Sequence, residues 1–357
     1  MEGEGDDMFE TRMPVTIAGA GSIGCYAGGC LALTGRNVTL LARPRLVTAI
    51  QREGLLVVDL DGRRRKVASG TVSVTDDPAL ALRDAGIVLV TVKSGATEEM
   101  AGLIAAHARP DAIVLSLQNG VRNGEVLRSR LGAGRVVLAG MVPFNVVQSI
   151  DGAGAPSFHR TTSGRCLIEA GVPDLAGFLD VEGFPVGESD DMTAVLWGKL
   201  LLNLNNALNA LSGLPLATQL ADRRWRLLLA DQIAEALAVM RKAGIKPARA
   251  GGPTPALLPV VLRLPDILFG LLARRMLAVD PRARSSMWDD LERGQPTEID
   301  EFQGAIVHLA MASGADAPLS RSIAALVRAA EAKGEGPPGL APEDVRAAGD
   351  AIYLGRV

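Results

Sequence analysis

Val15-Thr16-Ile17-Ala18-Gly19-Ala20-Gly21-Ser22-Ile23-Gly24 decides how this chain is read. A short apolar run enters a G-x-G-x-x-G turn, and Cys25-Tyr26-Ala27-Gly28-Gly29-Cys30-Leu31-Ala32 leaves it as a helix. In a strand–turn–helix unit the first glycine, Gly19, makes the tight turn. Gly21 lets the backbone approach a pyrophosphate, and Gly24 lets helix pack on strand. Ser22 and Ile23 then open the helix, whose free amides and positive dipole end suit that pyrophosphate. A second apolar run, Val38 to Ala42, ends in Arg43, with Arg45 close behind, and no carboxylate occurs from Thr11 to Arg52. A site for NAD places Asp or Glu at that strand end to accept from the ribose 2′-hydroxyl. Arg43 cannot accept, but it can pair with a 2′-phosphate. The pattern therefore predicts NADPH as the cofactor; the plainer reading of Arg43 is a solvated side chain at a strand end.

The 357 residues are enough for two or three domains, and 48% hydrophobic against 22% charged allows a large core. A net charge of −3 argues against a nucleic-acid surface built on phosphate neutralisation. Cys25, Cys30 and Cys166 show no metal-ligand spacing. The first two fall on the predicted first helix and are expected as buried small residues rather than a disulfide, which fits a reducing cytoplasm. Residues 1–13 are acidic, lack an apolar core of the signal-peptide kind, and are expected to be a disordered leader. No apolar run of 18 or more residues occurs, so no membrane span is expected.

From Val15 to about Phe144 short apolar runs alternate with helical patterns. Candidate strands are Val15–Ala18, Val38–Leu41, Ile87–Val92, Ile113–Leu117 and Val136–Val142. The third is apolar on both faces, as a buried parallel strand should be. This predicts an α/β domain with a doubly wound sheet over residues 14–188. Gly54–Val74 reads as an inserted hairpin turning at Asp61-Gly62. Val146–Gly187, with the strand-like Cys166–Glu169, is expected to complete the sheet. Beyond Glu188 apolar residues recur at helical spacing: Asp190–Leu211, Asp222–Ala243, Leu257–Met276, Ser286–Glu292, Glu298–Ala312 and Leu319–Ala332. A mainly helical domain over 189–333 follows, then a tail over 334–357 with a loose Gly/Pro-rich start and a last short helix at Ala341–Leu354.

The helix expected at Asp190–Leu211 carries the second signal. At about 100° per residue, Asn203 lies about 40° from Lys199, and Asn206 about 20° on its other side. The three form one polar stripe on a helix otherwise covered by Trp197, Leu201, Leu204, Leu208 and Leu211. A lysine and two amides on so apolar a helix need partners or a polar cavity. Each alone is more simply a snorkelling lysine or a backbone-bonded asparagine; together, beside a dinucleotide domain, they point to a substrate cleft. Lys199 suits a general acid that protonates the alkoxide formed when hydride reaches a carbonyl, since an apolar wall lowers an ammonium's pKa. A third element runs Ser285-Ser286-Met287-Trp288 to Thr297-Glu298-Ile299-Asp300. Ser286 reads locally as an N-cap. Thr297 and Asp300 have capping-box spacing, which puts Glu298 in a first helical turn.

Taken in order, these motifs resemble the ketopantoate reductase (2-dehydropantoate 2-reductase) family, from Val15 to about Arg328. The resemblance implies a Rossmann-type first domain, with Gly19, Gly21, Gly24 and Arg43 matching its cofactor residues. Lys93, in a V-T-V-K run, matches its lysine after the fourth strand. Gln118-Asn119-Gly120 matches a turn whose asparagine, Asn119, lies near nicotinamide and substrate. Lys199 and Asn203 match the catalytic lysine and first substrate asparagine, Ser286 the serine for the substrate carboxylate, and Glu298 the site glutamate. The family's second helix asparagine follows the lysine by eight residues; here that position is Ala207, and Asn206 stands one residue earlier. The implied reaction is reduction of a 2-oxo acid, with Lys199, Glu298 and Asn119 in the chemistry. Alternatives are reduction of a different oxo acid and, from another class, a non-catalytic NADPH sensor. The apolar stretches Leu257–Leu264 and Ile267–Leu277 suggest a homodimer.

Overall fold

The computed structural model describes residues 13–250, 253–272 and 282–353. The expected leader therefore lies almost wholly outside the described residues. The chain forms two compact units, one ending at Met192 and the other beginning at Thr193.

Among its described residues the first unit holds twelve strands in chain order: β1 (Val15–Ala18), β2 (Val38–Leu41), β3 (Leu55–Val58), β4 (Arg64–Val67), β5 (Ser73–Thr75), β6 (Ile87–Val90), β7 (Ile113–Ser116), β8 (Val137–Met141), β9 (Val146–Ile150), β10 (Pro156–Arg160), β11 (Cys166–Glu169) and β12 (Val186–Ser189). Eight make the main sheet, in the order β12-β11-β8-β7-β6-β1-β2-β5. All its pairings are parallel except β11 with β8. β1 and β6 are buried along their whole length, which explains runs with no polar alternation. The chain goes from β1 to β2 on one side and returns as β6 on the other. The carboxyl ends of β1 and β6 thus flank a topological switch point, the place where open α/β sheets bind ligands.

β3 and β4 form the expected hairpin. Gly62, at φ 83°, donates its N–H to Asp59 O at 2.9 Å, and Asp59 N donates to Arg63 O. β5 leaves that hairpin and joins the main sheet beside β2. The expectation that Val146–Gly187 completes the main sheet holds only for β11 and β12. β9 and β10 instead pair with β3 and β4 as a separate sheet, β4-β3-β10-β9. The partner of β10 is β3, about 100 residues away, and periodicity within a segment carries no information about so distant an edge. All three cysteines are buried free thiols.

The second unit is helical. Asp222 caps the helix Arg223–Lys242 by accepting from Arg224 N at 2.9 Å. Its Trp225, Leu228, Ala236, Val239 and Met240 are buried at helical spacing. The fully buried Arg226 ties neighbouring segments to it. Its guanidinium donates to the carbonyls of Leu220, Ala221, Leu262 and Leu264 and to Asp266, and stacks on Phe269 at 4.3 Å. The helix expected over Leu257–Met276 is broken. Leu258–Arg263 and Asp266–Leu272 are separate helices, because Pro265 cannot continue the ladder and forces Leu264 into an extended conformation (ψ 147°). The part of that expectation beyond Leu272 lies outside the described residues. Ser286–Glu292, Ile299–Ser313, Pro318–Lys333 and Pro342–Tyr353 follow. No helix among the described residues is long and apolar enough to cross a membrane.

Candidate active site

In the first unit the glycine turn is shaped by what a side chain would hit. Gly19 sits at φ 95°, and a Cβ there would stand 2.3 Å from Val92 Cγ1 and 2.8 Å from Val92 N, just past β6. A Cβ on Gly24 would come within 2.5 Å of Thr91 Oγ1 and 2.7 Å of Ile17 Cγ2, so the helix could not lie this close to β1. Thr91 Oγ1 locks the turn by donating to Gly19 O at 2.7 Å. Around Gly21 a Cβ would meet nothing within 4 Å: this is open space over the backbone. Gly21 is also the N-cap of the helix Ser22–Leu33, and no side chain caps it. The first-turn amides of Ser22, Ile23 and Gly24 therefore have no intrahelical acceptor. An open cradle over uncapped amides, with no acid in the first turn, fits the diphosphate of a nicotinamide dinucleotide.

Arg43 follows β2 and serves as N-cap residue of the helix Pro44–Glu53, with its side chain exposed. Among the described residues no ion pair engages Arg43 or Arg45. Lys93 follows β6 at the start of a short 3₁₀ turn and is exposed. Asn119 lies in the turn after β7 and is half-buried, with Gly120 at φ 94° beside it. A polar network fixes that turn. Ser94 Oγ and Asn123 Nδ2 both donate to Asn119 O, at 3.0 and 2.5 Å. Gln118 Nε2 donates to Val92 O at 3.0 Å and Thr97 Oγ1 at 2.7 Å. The turns after β6 and β7 are thereby one rigid piece. Sequence reasoning found Gln118 and Asn119 but missed Ser94, Thr97 and Asn123, whose partners are about 20 to 30 residues away.

In the second unit the expected single helix Asp190–Leu211 is two, Met192–Asn203 and Asn205–Ser212. The interruption at Leu204 is slight: it keeps helical dihedrals (φ −56°, ψ −29°) and still donates to Leu200 O at 3.0 Å, while its carbonyl accepts from the fully buried Gln303 Nε2 at 3.0 Å. The apolar face stands as expected, with Trp197, Leu201, Leu204, Leu208 and Leu211 all buried. Lys199 and Asn203 are half-buried on the first helix, and Asn206 is half-buried on the second. Lys199 and Asn203 thus share the first helix, and Asn206 lies on the second, just past the interruption. Gly198, beside Lys199, lets the chain pass very close: a Cβ there would sit 2.0 Å from Ala248 O.

The buried amides are Asn205 and Asn209, not Asn203 and Asn206. Gln219 Nε2 donates to Asn205 Oδ1 at 3.1 Å, and Asn209 Nδ2 donates to Gln219 Oε1 at 3.1 Å. Asn209 Oδ1 accepts from Ser285 N at 2.9 Å. Ser285 Oγ donates to Asn206 O at 3.0 Å and accepts from Trp288 N at 3.1 Å. Ser285, not Ser286, is therefore the N-cap of Ser286–Glu292, and the exposed Ser286 hydroxyl is not used in capping. The expected capping box is also absent. Thr297 Oγ1 accepts from Ile299 N, Thr297 N donates to Glu331, and Asp300 pairs with Arg328. Glu298 is the half-buried N-cap residue of Ile299–Ser313 rather than a member of its first turn. The three predicted stretches of this unit do meet: Ser285 bonds the Asn206–Asn209 turn of helix, and Gln303, on the helix opened by Glu298, bonds Leu204.

A doubly wound sheet with a nucleotide-shaped glycine turn at its switch point, followed by a helical unit, defines a dinucleotide-binding oxidoreductase of the Rossmann type. Comparison with known proteins gives the family. The profile described as "Ketopantoate reductase PanE/ApbA" matches residues 15–170, and its C-terminal counterpart matches residues 191–331. A 2-dehydropantoate 2-reductase of Halobacterium salinarum is 30% identical over 90% of this chain and 100% of its own length. One from Archaeoglobus fulgidus is 30% identical over 89% of this chain and 97% of its own. Among solved structures, a PanE/ApbA family ketopantoate reductase of Ralstonia eutropha superposes with a TM-score of 0.75 at 34% identity, covering 90% of this chain and 100% of that one. This chain belongs to the ketopantoate reductase family, whose members are oxidoreductases acting on a CH–OH group.

Proposed function

We propose that this protein reduces 2-dehydropantoate to pantoate with NADPH, in pantothenate and coenzyme A biosynthesis, with Lys199 as general acid. The observation that carries the cofactor choice is Arg43, exposed at the end of β2 where no carboxylate stands. In this reading residues 14–188 hold the cofactor, 189–333 supply the catalytic and substrate residues, and 334–357 are a tail.

The Ser22, Ile23 and Gly24 amides would hold the diphosphate at the Gly19–Gly21 turn, and Arg43 would pair with the 2′-phosphate. Lys93 and Asn119 border the nicotinamide end. When bound, NADPH would supply the hydride that C2 of the 2-oxo acid receives. Lys199 gives its proton to the carbonyl oxygen as that oxygen takes on negative charge, so ketone, hydride and proton together yield the secondary alcohol. The neutral amine is recharged from solvent. Asn203 and Asn206 donate to the substrate's carbonyl or hydroxyl oxygens, Ser286 donates to its carboxylate, Asn119 helps bind it, and Glu298 accepts from its distal hydroxyl or from Lys199. Relatives bearing the name 2-dehydropantoate 2-reductase support this substrate over other oxo acids.

Loss of NADPH absorbance on adding 2-dehydropantoate tests the reading. Lys199→Ala is expected to lose about two to four powers of ten in kcat with little change in KM for NADPH; a variant turning over near the wild-type rate removes Lys199 from the chemistry. The proposal includes a location in the cytoplasm, whose reducing conditions suit three buried cysteines without a disulfide. It is also proposed to dimerise through the exposed apolar residues Leu257, Val260, Ile267 and Leu271, a state that sedimentation velocity reads directly. A Staphylococcus aureus ketopantoate reductase of this fold is described as dimeric.

A further inference from the structure

Immediately before the Ser285–Ser286 pair stands Arg284. Its guanidinium lies over the Trp288 ring, 4.5 Å from the ring centroid. Both side chains carry a donor withdrawn from solvent. Arg284 Nη1 and Trp288 Nε1 are buried atoms that find no hydrogen-bond acceptor among the described residues. A neutral N–H left in this state is costly, and one on a charged group costs more. Buried polar atoms are paired in the great majority of cases, so two orphaned donors on one stacked pair call for an acceptor that the described residues do not supply.

The stack explains how such a pair is held ready. The Trp288 ring fixes the guanidinium plane by cation–π attraction without consuming any of its N–H groups. Ser285 fixes the backbone beneath, because its hydroxyl is engaged by Asn206 O and Trp288 N and its amide by Asn209 Oδ1. A guanidinium with an unspent N–H, beside an indole N–H, on the segment that also presents the Ser286 hydroxyl, is a donor set for a planar anion with two oxygens.

We propose that Arg284 and Trp288 form the subsite that selects an anionic substrate, donating to the carboxylate of the 2-oxo acid alongside Ser286. The inference rests on the proposed function, and it names the residues that set the substrate's charge requirement. Trp288 serves both as the surface that positions Arg284 and as a second donor.

The test compares 2-dehydropantoate with its neutral primary amide in wild-type protein and in Arg284→Gln, Arg284→Lys and Trp288→Phe variants, with NADPH saturating. Arg284→Gln is expected to raise KM for the acid by roughly 10- to 100-fold, the range for a lost charged hydrogen bond, while KM for the amide changes less than threefold. The wild-type preference for acid over amide then collapses. Arg284→Lys should restore part of it, and Trp288→Phe should raise KM for the acid severalfold with kcat nearly kept. Binding is read separately as a shift of melting temperature on adding 2-dehydropantoate with NADP⁺; the wild type should give a shift and Arg284→Gln should lose it. A folded Arg284→Gln variant whose KM, acid-to-amide ratio and melting shift all match the wild type overturns the proposal and leaves the proposed function standing. A wild type that neither binds nor reduces any 2-oxo acid overturns both. Should Arg284→Gln fail to fold, the Trp288→Phe and Arg284→Lys variants decide by the same ratios.

Discussion

At the scale of single residues, the first unit separates what glycine must do from what the charged side chain selects. Gly19 and Gly24 have no room for a methyl group, and Gly21 has room but serves as open backbone. Those three positions provide for a diphosphate and say nothing about the ribose. In the proposed reading the ribose falls to one side chain, Arg43. Removing it as Arg43→Ala should raise KM for NADPH about 10- to 100-fold, as expected for a charge-assisted contact to phosphate, and leave KM for NADH within a factor of two. Steady-state kinetics with both cofactors measures the ratio; equal effects on the two would defeat the phosphate assignment. This part of the chain was legible because each signal is local. The turn, the strand before it and the arginine after β2 all lie within thirty residues, and each depends on backbone geometry or charge that a one-dimensional reading captures.

At the scale of elements, what escaped the reading is what long-range contacts decide. Gln303 donates to a helical carbonyl about 100 residues earlier, and Pro265 splits a helix that apolar periodicity alone would have carried through. β9 and β10 leave the main sheet because β3 offers them an edge. The N-cap moved by one residue, from Ser286 to Ser285, because only Ser285 also finds Asn206 and Asn209. A further example is Glu235, on Arg223–Lys242, which closes the start of a different helix. It accepts from Leu319 N, Ser320 N and Ser320 Oγ, at 2.8, 2.8 and 2.7 Å. Burial lifts its carboxyl above the usual 4.5, although those three donors favour the ionised form. The folded chain thus keeps a proton at a pH where the unfolded chain has released it. The resulting stability is full below the unfolded value and declines as pH rises through the folded one. Glu235→Gln should flatten that decline in urea melts taken across the mildly acidic range. At neutral pH it should cost about 1 kcal/mol as a weakened cap. An unchanged pH slope would show that Glu235 does not titrate between the two states.

For the whole molecule, the reading divides labour between the two units, and that division has a thermodynamic consequence. Every residue assigned to the dinucleotide — Gly19, Gly21, Ser22, Ile23, Gly24, Arg43, Lys93 and Asn119 — belongs to the unit ending at Met192, whereas Lys199, Asn203, Asn206, Ser286 and Glu298 belong to the unit beginning at Thr193. A ligand that binds only the folded state stabilises it by RT ln(1 + [L]/Kd), about 2.7 kcal/mol at a hundredfold excess over Kd. If the cofactor is held by the first unit, that stabilisation depends on Arg43 and is indifferent to Lys199. Calorimetric melts with and without NADPH should therefore show the same upward shift in Lys199→Ala as in the wild type, and a much smaller one in Arg43→Ala at the same NADPH concentration. Turnover should follow a different order, lost almost wholly in Lys199→Ala and retained at saturating NADPH in Arg43→Ala. A Lys199→Ala protein that loses the NADPH shift together with its activity would mean that the lysine holds the cofactor rather than supplying the proton, and the chemistry assigned to the second unit would have to be withdrawn.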